Sequence, residues 1–531
     1  MPLGRTLRTI RHLRPVQITN RLRRKLVRPR PRLGEAPGLR SIREIEAPCM
    51  RPESLLGGDR VELLGVVEEI AAEGDWNRAD RPKLWLYNLH YHDGLRAEAT
   101  SPERKRAFVR RWMAENPPLL GNGWEPYTLS LRIVNWILWG LREGSLDPAM
   151  VRSLAVQARA LEDQLEYHLL GNHLWANAKA LIFAGLFFEG AEAERWYRRG
   201  IGIAEEQRRE QFLADGGHFE LSPVYHQLML EDVLDLINLS AAAGRPLPPP
   251  WHATATAALR WLETMTRPDG RVPMLNDSFE GVSPSSAELL SYAGRLGIEP
   301  RASEGAGLIW LPESGYARWT GGGLCVWADF GRIGPDYLPG HAHADCFSFE
   351  LFADGAPIIV DTGVSTYEPG RIRDYERGST AHNTMTICDA DQAELWASFR
   401  VGRRPDIIGL EVTSGGIAAE QDGYDRLGAR HRRGFAFEEK RITITDEVRR
   451  ARGCAGRVTA RLHFAPGVAP IMEGDSVIAG PLRISQEGAT AARLEPCEIA
   501  CGFERRAPSF CLATDFDQRL VTRIERCASS S

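Results

Sequence analysis

The spacing of apolar residues changes once along this chain, from every third or fourth position to every second, and the change falls near residues 300–310. Before it, runs such as SLRIVNWILWGLREG, MVRSLAVQARALEDQLEYHLL, HLWANAKALIFAGLFFEG and QLMLEDVLDLINLSAAAG carry the pattern of helices, joined by short connections rich in Gly, Pro or Asp. After it, GLCVWADFG, CFSFELFADG, APIIVDTG, NTMTICD, GFAFEEKRITITDEV, VTARLHF and LRISQEG read as short strands between turns. The expected fold is therefore multidomain, α then β. A bundle, solenoid or closed ring of helical hairpins is followed by a mostly antiparallel domain of two packed sheets. The expected division is a basic arm and lead-in over 1–80, the helical domain over 81–305 and the β domain over 306–531.

A length of 531 residues agrees with two domains or more. The formal net charge of -4 argues against nucleic acid as the main partner and leaves room for a locally positive cleft. No stretch reaches the apolar length that crosses a bilayer. The nine cysteines are odd in number and form no CxxC pair, so neither a disulfide framework nor a thiolate zinc site is expected. The opening segment, MPLGRTLRTIRHLRPVQITNRLRRKLVRPRPRL, is rich in arginine and has no acid before Glu35. It lacks the unbroken apolar run and small-residue cleavage site of a secretory signal. Wound as a helix it could rest on an anionic membrane surface or pack as an arm on the rest of the protein.

Four segments hold polar residues that simple packing does not ask for. GNHLWANAKAL places Asn172 and His173 at the head of an apolar helix. DGGHFELSPVYHQLML carries Asp215, His218, Glu220, Tyr225 and His226. PGHAHADCFSFEL carries His341, His343 and Asp345 entering a strand, where residues two apart face one side. IIVDTGVSTYEPGRIRDYERGSTAHNTMTI carries Asp361, Tyr367, Arg373 and His382. Imidazoles with a carboxylate suit zinc. A site drawing on both halves would lie in the cleft between domains. His90, Trp124, Tyr127 and Arg132 are candidates to line it, since aromatics stack on sugar rings and arginine pairs with carboxylates.

Taken together, HAHADCFSFEL, IIVDTG, RDYERGSTAHNT, GNHLWANAKAL and DGGHFELSPVYH resemble the heparinase II/III family of polysaccharide lyases, in family order over roughly residues 85–400. The resemblance implies an incomplete (α/α) toroid followed by an antiparallel β-sandwich, and β-elimination on a uronic-acid-containing polysaccharide. It implies that Asn172, with His173, neutralises the uronate carboxylate, that Tyr225 and His341 are the acid–base pair, and that His226 joins the substrate-binding residues. It places a divalent metal, zinc by family pattern and structural in role, on His343, Asp361 and His382. An anionic polysaccharide is the expected partner, and the cell envelope or periplasm the expected compartment. Met229 stands where some members carry arginine, and RHLRPVQITNRL is similar to members associated with bacterial exopolysaccharide synthesis, so an exopolysaccharide is favoured as substrate. Three other readings compete. They are a uronosyl C5-epimerase, a glycoside hydrolase using carboxylates among Asp215, Glu220 and Asp277, and a non-catalytic polysaccharide-binding protein.

Overall fold

The computed structural model describes residues 3–144, 146–300, 305–451 and 456–527. Its helices are α1 (Leu3–Ile10), α2 (Pro15–Leu26), α3 (Lys83–Tyr91), α4 (Pro102–Glu115), α5 (Pro126–Glu143), α6 (Pro148–Asp163), α7 (Gly171–Phe187), α8 (Ala191–Gln211), α9 (Pro223–Ala242), α10 (Pro249–Met265), α11 (Ser286–Arg295) and α12 (Arg371–Arg377). Helices α7 and α9 have no single apolar face and are buried almost end to end, their polar residues included, so they lie inside. With α5 they form the inner wall, and α6, α8 and α10 back them with faces open to solvent.

The β domain begins at Gly307 and has two large sheets and a two-stranded ribbon of Leu395–Trp396 with Arg400–Val401. A five-stranded antiparallel meander uses Gly307–Leu311, Tyr316–Gly321, Leu324–Asp329, Phe349–Ala353 and Ala356–Ile359. A ten-stranded antiparallel sheet holds the remainder, with the long strands Leu482–Ala500 and Arg506–Arg526 paired along most of their length. Strand alternation lets the meander serve two cores. Trp319 and Val326 face the larger sheet, where Trp319 stacks on Phe437 with centroids 5.0 Å apart. Tyr316, Trp327 and Phe352 face Trp261 and Met265 of α10. The meander is thus the middle layer of the molecule. Trp261 Nε1 donates to Ser314 Oγ at 2.9 Å, Trp327 Nε1 to the Thr264 carbonyl at 3.0 Å, and Arg267 pairs with Glu350 at 3.0 Å. These polar contacts are satisfied within the interface, so burial costs them little.

The lead-in is a strap over the helical domain. Arg40 donates to the Leu186 carbonyl, Asn238 holds the backbone of Glu46, and Arg295 grips the Ala47 carbonyl, so the strap crosses the ends of α7, α9 and α11. The arginine-rich arm packs on the body. Arg8 forms a two-pronged pair with Glu394 at 2.8 and 2.6 Å, while Gln17 donates to the carbonyls of Leu169 and Tyr337. Leu7, Leu22, Leu26 and Val27 remain exposed on its outer side. Among the described residues no helix is long and apolar enough to cross a membrane, and no cysteine is in a disulfide; Cys454 lies outside them.

Trp319→Ala removes the ring that joins the two sheets and is expected to cost about 3–5 kcal/mol. Ile471→Ala, at a position 64% exposed, should cost less than about 0.5 kcal/mol. Denaturant midpoints of the two variants check the contrast.

Candidate active site between the domains

The two halves meet at a cleft of about 700 Å³ that leads into a smaller recess of about 140 Å³ inside the helical domain. Tyr127, Asn172, Tyr225 and Tyr367 line both spaces. Tyr225 stands in the first turn of α9. Pro223 opens that helix and Ser222 caps it, its Oγ accepting from the Tyr225 amide. Asn172 and His173 stand in the first turn of α7. That turn is reached through Leu170 at φ 68° and Gly171 at φ 53°. A Cβ on Gly171 would fall 2.1 Å from Leu338 Cδ2 and 2.6 Å from Glu220 Oε1, so glycine is required there by conformation and by space.

His341 comes from the other domain. The HxH segment is not the strand its alternation suggested: the strand starts at Phe349, and residues 341–348 form a loop. Both rings nonetheless address one group, the buried carboxylate of Asp277. His341 Nδ1 donates to Asp277 Oδ2 at 3.0 Å and His343 Nε2 to Oδ1 at 2.8 Å, while Arg373 Nη1 and Nη2 complete the shell at 2.5 and 2.8 Å. Burial opposes its charge, but the Arg373 guanidinium and the two imidazoles hold the Asp277 carboxyl well below the usual range. Helix α12 secures the same loop, with Arg377 donating to the Ala342 and Ala397 carbonyls.

His341 and Tyr225 therefore face each other across the domain boundary. Their rings stack with centroids 3.8 Å apart and an angle of 30°. Burial pushes the Tyr225 phenol above its ordinary value, and its hydroxyl lies 3.5 Å from that of Tyr367. His341 Nε2 lies 3.3 Å from Glu220 Oε2, and Glu220 Oε1 accepts from the Asn172 amide at 3.0 Å. His173 Nδ1 bonds Glu166 Oε1 at 3.1 Å, and its ring sits 4.4 Å from that of Tyr127. Burial disfavours the His173 charge, but Glu166 outweighs it and raises the imidazole above its ordinary value.

Behind His341 lies a buried group of acids and imidazoles. His343, Asp345 and His382 each offer a ligand atom within 4.8 Å of the others. His343 Nδ1 and His382 Nε2 are buried without a hydrogen-bond partner, since their other nitrogens donate to Asp277 and Asp361. Burial and the Asp361 charge lift the Asp345 carboxyl to about 6 against the pull of His382. Burial also works against charge on His382, but Asp361 draws a proton onto it and raises it to about 9. Two orphaned nitrogens and crowded carboxylates fit a divalent cation. Asp345 completes this set, and the expected third ligand, Asp361, stands beside it on the other nitrogen of His382. Asp361 instead accepts from His382 Nδ1 at 2.7 Å and from the Gly363 amide, which makes it an orienting partner.

Of the expected cleft residues, Tyr127 reaches the cleft and four others do not. His90 is buried between the Trp76 carbonyl and Trp112 Nε1, and Trp124 donates to the Asn116 carbonyl. Arg132 is spent on Gln157 and the carbonyls of His90 and Gly123, under the face of Trp112. His226 is bound to the Ala258 carbonyl against Trp261. All four satisfy core positions. Asp215, a hydrolase candidate, holds the turn at Glu313 and Ser314. Asp277 has no oxygen to spare for a sugar. Sequence reasoning missed Asp277 as the hub, because LNDS carries no spacing signal, and it missed Tyr87 and Tyr91 on the cleft wall.

Residues 147–293 match the family described as Heparinase II/III N-terminus, and residues 303–522 the one described as Heparinase II/III-like, C-terminal. The heparin-sulfate lyase of Pedobacter heparinus is 26% identical over 353 residues, 58% of this chain and 51% of that protein. The FtsZ-localized protein C of Caulobacter vibrioides is 27% identical over 285 residues, 52% of this chain and 46% of that protein. The chain thus spans about half the length of these curated relatives. A crystal structure of heparinase III has the same fold, an incomplete (α/α) toroid followed by a β-sandwich, with TM-score 0.71 at 20% identity over 88% of this chain and 80% of that one. Since the two family descriptions fall one on each domain and together span most of the cleft-forming chain, the protein belongs to the heparinase II/III-like family.

Proposed function

We propose that the protein is a polysaccharide lyase that cleaves a uronic-acid-containing polymer by β-elimination. The observation that carries this reading is the stacked Tyr225–His341 pair, one ring from each domain, in a cleft that also receives Asn172 and His173. The uronate carboxylate sits between the Asn172 amide and the His173 imidazolium, which stabilise the enolate-like state as charge moves onto that carboxylate. His341 commits its Nδ1 proton to the bond with Asp277, which leaves Nε2, 3.3 Å from Glu220 Oε2, as the nitrogen that takes the proton alpha to the carboxylate. Tyr225, kept protonated by burial, delivers a proton to the departing glycosidic oxygen. Met229, buried at the recess, supplies a thioether where a sulfate would call for a cation, which favours a carboxylated bacterial exopolysaccharide as substrate. A hydrolytic reading loses two of its candidates, since Asp215 holds the turn at Ser314 and Asp277 is filled by His341, His343 and Arg373.

The metal in this reading is zinc, held by His343, Asp345 and His382 with Asp361 behind His382. When bound it contributes positive charge that fixes the loops carrying His341 and His382; proton transfers belong to His341 and Tyr225.

Three outcomes are expected. With alginate, hyaluronan, heparan sulfate, chondroitin and bacterial exopolysaccharides as a panel, the ultraviolet absorbance of an unsaturated uronate end should rise for at least one polymer. Tyr225→Phe should slow that rise by about 10²–10⁴-fold without lowering Tm. Solvent proton exchange into a polymer with no new absorbance would reassign the chain as an epimerase. For pH, the His173 charge is present below its raised pKa and lost as pH rises through it. Glu166→Gln should therefore move the alkaline limb of kcat/KM to lower pH, and an unmoved limb would remove His173 charge from the mechanism. Finally, metal analysis of the purified chain should give about one zinc per chain, lost in His382→Ala together with several degrees of Tm. A metal-free chain with unchanged Tm would refute the site.

A further inference from the structure

The arm does more than fasten the two domains. It crosses the mouth of the cleft, anchored on the β domain by Arg8 on Glu394 and by Thr9 Oγ1, which accepts from Trp396 Nε1 at 3.1 Å. At the other end Arg14 pairs with Glu210 and lies 3.7 Å over the ring of Tyr337. Along this stretch and the following turns of α2, Thr9, Leu13, Gln17 and Arg21 form a wall of the same cavity that holds Tyr225 and His341. Residues of the arm are therefore as close to a bound chain as residues of the toroid.

Four cationic side chains line this outer part, and they divide into two kinds. Lys83 is paired with Glu125, and Arg404 with Asp336 at 3.0 Å. The guanidiniums of Arg21 on α2 and Arg400 on the β domain have no hydrogen bond or ion pair among the described residues; that of Arg400 lies 5.2 Å from the ring of Trp396. They are near enough for the Arg400 charge to disfavour the charge on Arg21, with partial burial as the larger cause. Two guanidiniums held toward one cavity, neither of them in an ion pair, repel each other, and an anion placed between them relieves that repulsion while accepting planar, two-pronged hydrogen bonds.

We propose that Arg21 and Arg400 form an anion subsite that binds the carboxylate of a second acidic sugar, along the polymer from the one being cleaved. The subsite rests on the polyuronate reading above and deepens it, because a polyanion carries such carboxylates at regular intervals. It gives the arm a role in selecting chain length and charge. The ligand class is a carboxylated sugar oligomer long enough to reach from the Tyr225–His341 pair to the mouth.

The test is kinetics and binding on the full chain with alginate and hyaluronan oligosaccharides of graded length. Arg21→Gln and Arg400→Gln should each raise KM about five- to tenfold on long oligosaccharides and leave kcat within about twofold, since the lost contact is made equally in the ground and transition states. The double variant should lose little more than either single one, because one site needs both groups. On the shortest oligosaccharide that the unaltered chain cleaves, the variants should match it. Arg23→Gln, on the exposed side of α2, should change nothing at any length. Equal KM for all chains, a fall in kcat, or the same loss at every length would overturn the subsite. If the unaltered chain cleaves none of the oligosaccharides, the lyase reading fails separately. The subsite is then decided by calorimetric binding of the same oligosaccharides, where the two variants weaken affinity about five- to tenfold or the subsite is refuted.

Discussion

The carboxylate of Asp277 is the point on which the two domains agree. It lies in the connection between α10 and α11, on the helical side, yet every side-chain donor to it comes from the β side: His341, His343 and Arg373. Its own backbone joins the same junction, with the amide donating to the His341 carbonyl and the carbonyl accepting from Ser222, the cap of the helix that bears Tyr225. A fully buried carboxylate is tolerable only when its lone pairs are filled and its charge is answered. Here filling them also orients the His341 ring over Tyr225 and frees the opposite nitrogen of His343 for a cation.

Placement of the cleft follows from the layer order. The five-stranded meander is buried on both faces, by the larger sheet on one side and α10 on the other, so the domains cannot slide past each other without exposing Trp327 or Phe352. Rigid backing lets two long connections between strands, 330–348 and 360–384 with α12 inside the second, hold the polar residues that the β side brings to the cleft. The polar density is high there, but partners are internal: Asn383 donates to the Phe349 and Val360 carbonyls, and Arg433 crosses to the Phe347 carbonyl while paired with Asp446.

The period change was legible because it reports burial geometry, and the structure changes from helix to strand within the same ten residues, at Gly307. The motifs that gather in the cleft were legible because Asn172, His173, Tyr225 and His341 sit in apolar surroundings that call for no polar group. The buried histidines and the tryptophan beside them were misleading for a related reason. His90, Trp124, Arg132 and His226 also look misplaced in an apolar pattern, but each has one or more backbone carbonyls as its partner. A partner contributed by the main chain leaves no trace in residue type. Asp361 and Asp345 could not be separated by spacing either, since both lie beside His382 and only the direction of its ring decides which one groups with His343. The hub role of Asp277 depends on groups 64 to 96 residues away and has no local signature.

The docking of the arm also bears on how the chain is made. Residues 3–26 leave the ribosome before any surface they settle on exists. Gln17 waits 320 residues for the Tyr337 carbonyl, and Arg8 waits 386 for Glu394. Contacts of such separation are the last to form during synthesis. Until the β domain is complete, this strongly basic segment has only its helical-domain partners, such as the Leu169 carbonyl and Glu210, and its β-domain anchor Glu394 is missing. The mouth of the cleft therefore acquires its complete outer wall only when both domains are already in place.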